Sequence, residues 1–84
     1  MPTISTFYGI VIMMYLKDKE HNPPHIHAFY NDSVGVFDIT TGELIHGEFP
    51  KTARKLVKKF ISDYRNELLD MWNNATYRKL KWID

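Results

Sequence analysis

After Pro50 the apolar residues of this 84-residue chain recur at three- and four-residue spacing: Ala53, Leu56, Val57, Phe60, Ile61, Tyr64, Leu68, Met71, Trp72 and Ala75. That is the helical period, and it predicts one amphipathic helix over about residues 50–75, kinked near Asn66. Pro50 suits the first turn, where a missing N–H costs nothing. A helix this long must lay its apolar stripe on something, and the residues before it read as strands. An α+β layout follows, an antiparallel sheet of about four strands packed on one long C-terminal helix. The expected organisation is a single domain over residues 1–84, with the sheet at about 7–47, the helix at about 50–75 and a short tail at 76–84.

The strands are read from β-branched and aromatic runs bounded by turn residues. Phe7–Leu16 is the first. His25–Tyr30 is the second, Val34–Ile39 the third and Leu44–His46 the fourth. Asn31-Asp32-Ser33 separates the second from the third, and Thr40-Thr41-Gly42-Glu43 the third from the fourth. The tail Lys79–Ile83 reads as a short last strand or an extended arm. The first strand is apolar on both faces: Ile10, Ile12, Met14 and Leu16 on one, Val11, Met13 and Tyr15 on the other. A strand of that kind is normally covered on both sides. One helix covers only one of them, so the second face predicts a partner, either another copy of the chain (a homodimer) or a small cognate protein.

Composition narrows the function classes. A hydrophobic fraction of 44% and an aromatic fraction of 14% are those of a globular chain. The absence of cysteine excludes thiolate metal sites and cysteine nucleophiles, and it suits a reducing compartment. The run Ile10–Leu16 is far short of the roughly 20 residues that a bilayer requires, and no secretory leader is visible, so the expectation is a cytoplasmic protein with no membrane partner.

Charge is divided along the chain. Residues 1–50 hold two lysines against six acidic residues, a net −4, and residues 51–84 hold nine cations against four acids, a net +5. Lys51, Arg54, Lys55, Lys58 and Lys59 follow one another with no acid between them. On a helix they form one arc opposite the apolar stripe. Cations in the first turns oppose the helix dipole by a few tenths to about 1 kcal/mol each. Their placement is either a plain solvated face or a surface for something anionic, nucleic-acid phosphate or an acidic partner. Arg78, Lys79 and Lys81 extend that patch, with Tyr77 and Trp82 available to stack on bases, although Trp82 also suits the core.

Three of the four histidines lie in His21-Asn22-Pro23-Pro24-His25-Ile26-His27. Side chains two apart on a strand share a face, so His25 and His27 point the same way. Three readings are open. His21, His25 and His27 can hold a divalent metal such as zinc, with His46, Asp38 or Glu43 completing the set. His25 and His27 can act as a metal-free catalytic acid–base pair on RNA or another phosphate ester. Or the imidazoles are structural and touch a partner. Whether Asp38 joins their face depends on strand register.

These residues together resemble the bacterial domain of unknown function 4160. The resemblance is carried by Met1-Pro2-Thr3-Ile4-Ser5, the Gly9-Ile10-Val11-Ile12 strand, His21-Asn22-Pro23-Pro24-His25-Ile26-His27-Ala28, the Gly42-Glu43 turn and the Pro50-led helix ending in Glu67-Leu68-Leu69. It covers nearly the whole chain, and the histidine–proline string is its most specific part. The family usually carries a tryptophan in mid-helix where Phe60 stands. The resemblance implies a short bacterial protein, often encoded beside another small protein in a toxin–antitoxin-like arrangement, and it supplies no catalytic residues. The expected function is a small binding module of such a regulatory pair, acting through protein–protein association and nucleic-acid contact. The alternative is the histidine-based enzyme.

Overall fold

The structure, a computed structural model, describes residues 3–15, 23–76 and 78–82. Five strands form one antiparallel meander: β1 (Thr3–Phe7), β2 (Ile10–Met13), β3 (His25–Tyr30), β4 (Ser33–Asp38) and β5 (Leu44–Glu48), each paired with the next in chain order. One helix, α1 (Lys51–Asn74), follows. The α+β architecture is the expected one, with one more strand than the sequence reading supplied.

The extra strand comes from dividing the first apolar run. Phe7–Leu16 was expected to be continuous, yet the chain reverses at Tyr8-Gly9 and pairs Phe7 with Ile10. Both turn residues sit at positive φ, 50° for Tyr8 and 78° for Gly9, as a tight two-residue hairpin requires. Glycine adopts this without penalty, whereas tyrosine is an uncommon partner and gives little warning of a turn. The sheet therefore begins at Thr3. Leu16 lies outside the described residues.

The inner face of the sheet meets the helix. Ile4, Phe7, Ile10, Ile12, Met14, Ile26, Ala28, Phe37 and Ile39 are buried there with Ala53, Val57, Phe60, Ile61, Leu68, Met71 and Trp72. The stripe predicted from spacing is thus the buried side of α1. Phe60 lies at its middle, fully buried, with ring centroids 5.0 Å from Phe7, 5.3 Å from Tyr64 and 5.7 Å from Trp82.

The helix bends at Tyr64, whose φ of −118° leaves the helical region. The bend falls two residues before the expected Asn66. It lies where the helix is tied on two sides: the Tyr64 hydroxyl donates to the Lys81 carbonyl, and Arg65 Nε donates to the Ile39 carbonyl at 3.0 Å. The tail is an extended arm along the edge of β1, where the Leu80 N–H donates to the Ile4 carbonyl at 2.8 Å. Trp82 packs edge-on to Phe7 at 4.7 Å and donates its indole N–H to Asp63 at 2.8 Å. It is a core and anchoring residue. The Lys59 ammonium and the Trp82 N–H both bond the Asp63 carboxylate and hold it below the usual carboxylate range. Among the described residues no helix is long and apolar enough to cross a membrane.

Candidate functional site

Two surfaces collect the residues singled out by the sequence: the outer face of the sheet and the first turns of α1. Residues directly opposed across an antiparallel ladder point to the same side. The pairings Thr3–Met13, Met13–His27, His27–Val36 and Val36–His46 therefore place these five side chains in one row across the outer face. Thr6, Val11, Phe29, Val34 and Glu48 form the adjacent row by the same rule. His25 lies opposite Asp38 in a third. Val11, Met13, Phe29 and Val36 are half-buried, and Val34 is 47% exposed.

The histidine pair is where the spacing put it. His25 and His27 share the outer face, with ring centroids 5.4 Å apart. They are the middle of a row of four rings: Tyr15 packs edge-on to His27 at 4.4 Å, and Trp72 lies 4.9 Å from His25. The His25 Nδ1–H donates to the Pro23 carbonyl at 2.9 Å. This bond fixes the ring's orientation and makes Nε2 the basic nitrogen of the neutral ring. The proline that stiffens the approach also supplies the acceptor that orients the imidazole.

Asp38 is directly opposite His25, on the histidine face, but its Oδ1 accepts the backbone N–H groups of Thr40 at 2.7 Å and Thr41 at 3.2 Å. That carboxylate oxygen shapes the β4–β5 loop, where Gly42 takes the expected positive φ of 79°. His46 lies on the same face but two strands from His27, with Val36 between them. Glu43 is bonded to Lys58 at 2.7 Å. His21 lies outside the described residues. Among the described residues no three histidine, aspartate or glutamate side chains converge on one ion-sized point. The expected partners His46, Asp38 and Glu43 therefore do not complete a metal set with His25 and His27.

On the helix, Lys51, Arg54, Lys55, Lys58 and Lys59 are all exposed, as the arc predicted. Two of them are engaged. Lys58 bonds Glu43, and hydrogen bonding and charge from this lysine hold the Glu43 carboxyl below its usual range. Lys59 bonds Asp63 one turn on, at 3.0 Å. Lys51, Arg54, Lys55 and Lys58 line a shallow groove of about 230 Å³ against Gly42, Glu43 and Leu44 of the β4–β5 loop. The helix enters this groove with no acid in its first turn and no side-chain bond from its N-cap residue, Pro50.

Phe29, Val34 and Val36 had no functional place in the sequence reading, and Trp72 had only a core position on the helix. The signal for the first three was present. His25–Tyr30 and Val34–Ile39 carry apolar residues at both parities, as Phe7–Leu16 does, and all three segments argue for a sheet apolar on both sides. The Trp72 contact with His25 had none, because it depends on how the helix end meets the sheet.

A family model for a domain of unknown function (DUF4160) matches residues 9–73, and the chain belongs to that family. No curated protein and no solved structure matches it.

Proposed function

We propose that the chain is a protein-association module whose outer sheet face docks another folded chain, as one member of a regulatory or toxin–antitoxin-like pair. The observation that carries this reading is the continuous apolar strip of Val11, Met13, Phe29, Val34 and Val36 on the face opposite the helix. Monomers seldom leave such a strip without a use. The packing of His25 and His27 between Tyr15 and Trp72 supports a contact role for these imidazoles at one end of the strip.

The test is co-expression with a small protein encoded beside it, the arrangement that the family resemblance implies. The two are expected to co-purify, and Val34→Glu to weaken the complex by roughly tenfold or more, since a charge in an apolar contact costs at least ~1.4 kcal/mol. Val34 is exposed, but the new carboxylate would face Glu48 across the β4–β5 ladder, so the substitution is expected to cost up to about 1 kcal/mol, and a thermal melt checks that the variant is folded. Unchanged binding by a well-folded Val34→Glu variant overturns this docking face.

A second reading concerns the basic groove, and the acid-free, uncapped start of α1 favours it. Lys51, Arg54 and Lys55 would meet nucleic-acid phosphate there. Binding of a labelled oligonucleotide, followed by anisotropy, is expected to fall steeply with salt, with a log–log slope of about −0.9 per phosphate contacted. The Lys51→Glu/Arg54→Glu/Lys55→Glu variant is expected to abolish it. Salt-independent binding, or binding retained by that variant, removes this reading.

A further inference from the structure

We propose that the outer sheet face also pairs with the same face of a second copy, about a two-fold axis that runs across the strands and sets His46 of one copy over Glu48 of the other. This inference rests on the outer face being the docking surface, and it names an occupant.

The register supplies the complementarity. The rows Thr3–Met13–His27–Val36–His46 and Thr6–Val11–Phe29–Val34–Glu48 are neighbours along the strands, two residues apart on β2 to β5, or about 6.6 Å, and three apart on β1, where the register shifts. An axis parallel to these rows and midway between them lays each row on the other row of the second copy, strand over the same strand. Met13 then lies over Val11, Val36 over Val34, His27 over Phe29, Thr3 over Thr6 and His46 over Glu48. Each contact occurs twice, as an isologous interface demands. Apolar residues meet apolar residues on β2 and β4, the His27 ring meets the Phe29 ring on β3, and Glu48, the acid of these two rows, meets an imidazole. An axis along the strands instead sets β5 over β1, with Glu48 over Thr6 and His46 over Thr3, so that the acid faces no imidazole.

The edges of the sheet argue for the same occupant. The tail bonds the β1 edge through Leu80 and Ile4. The β5 edge is broken by a register shift opposite Val36 and Phe37 and by Gly47 at a φ of 83°. Irregularity of that kind discourages strand addition, which leaves the face as the route to association. The face spans five strands about 4.8 Å apart, each about five residues long, a projected footprint of roughly 400 Å². Stable complexes bury about 800 Å² of accessible surface per partner, so the occupant must cover the whole face, as a second sheet does and a single peptide strand does not.

Sedimentation equilibrium of the full chain tests this. At tens of micromolar the expected mass is twice the 10.0 kDa of one chain. Glu48→Arg is expected to weaken pairing by roughly tenfold by setting a cation over each His46, and His46→Glu/Glu48→Arg to restore it to within a few-fold of the native chain. Both positions are exposed, and a thermal melt checks that each variant is folded. A native chain that stays monomeric, or a double variant no tighter than Glu48→Arg alone, overturns the proposal. If the chain is monomeric and Val34→Glu still weakens binding of a neighbouring gene product, self-pairing fails and the docking face stands. If the chain dimerises but Val34→Glu and Glu48→Arg leave the dimer intact, self-pairing through this face fails; unchanged binding of the neighbouring gene product by Val34→Glu overturns the docking face as well.

Discussion

Replacing Phe60 with alanine is expected to cost about 3–5 kcal/mol, the range for a large aromatic side chain removed from a packed core. Phe60 is fully buried at the one point where three parts of the chain meet: β1 through Phe7, the helix bend through Tyr64 and the tail through Trp82. The vacated space has little to collapse into it. Phe7 is fixed in the sheet by its pairing with Ile10, and Trp82 is held by its bond to Asp63. A domain of this size has a total stability of only ~4–13 kcal/mol, so the variant loses a large share of it. Urea unfolding followed by tryptophan fluorescence reads the loss, and Phe60→Leu, which keeps most of the volume, is expected to cost less than half as much. A loss below about 1.5 kcal/mol for Phe60→Ala would show that the tail and β1 do not depend on this ring.

Phe60 also shows why the fold was legible. Its place on the buried side follows from the three- and four-residue spacing alone, because a helix of this length exposes a constant stripe to its support. The second, third and fourth strands were readable from β-branched and aromatic runs bounded by turn residues. The β1–β2 hairpin was not. Its turn is Tyr8-Gly9 inside an apolar run, and the sequence contains no polar turn pair there to break it. The bend at Tyr64 was displaced because two long-range bonds, to Lys81 and Ile39, locate it.

The site divided along the same line. That His25 and His27 share a face is local geometry and could be derived. That Asp38 lies opposite His25 while bonding the Thr40 and Thr41 N–H groups depends on register and on loop closure together. The row of rings from Tyr15 through the histidines to Trp72 joins the segment just after β2, β3 and the end of α1, which the sequence pattern does not bring together. The arc of cations was legible because it is helical, but that Lys58 and Lys59 are ion-paired, and that Lys58 lines the groove together with Lys51, Arg54 and Lys55, required the positions of Glu43 and Asp63.

Gly47→Ala is expected to detach β5 from the sheet while the rest of the domain stays folded. Gly47 holds a φ of 83°, which costs a residue with a Cβ roughly 1–3 kcal/mol. The added methyl carbon would also lie 2.2 Å from the Val34 carbonyl oxygen and 3.3 Å from the Gly35 Cα, both backbone of the neighbouring strand. Neither atom can move without breaking the β4–β5 ladder that pairs Val34 with Glu48 and Gly35 with Gly47. The strand is at the edge and, apart from Leu44, exposed along its length, so yielding there is cheaper than distorting β4. Amide exchange is expected to rise sharply in 44–48 and stay slow in β2 and β3, with a stability loss of at least about 1 kcal/mol in urea. The variant also carries a consequence for association. His46 and Glu48 would leave the rows that position them, so pairing between copies is expected to weaken at least as much as in Glu48→Arg, although neither side chain has been altered. A Gly47→Ala chain with native exchange in β5 and native stability would mean that the bulged edge is not what holds these two residues in register.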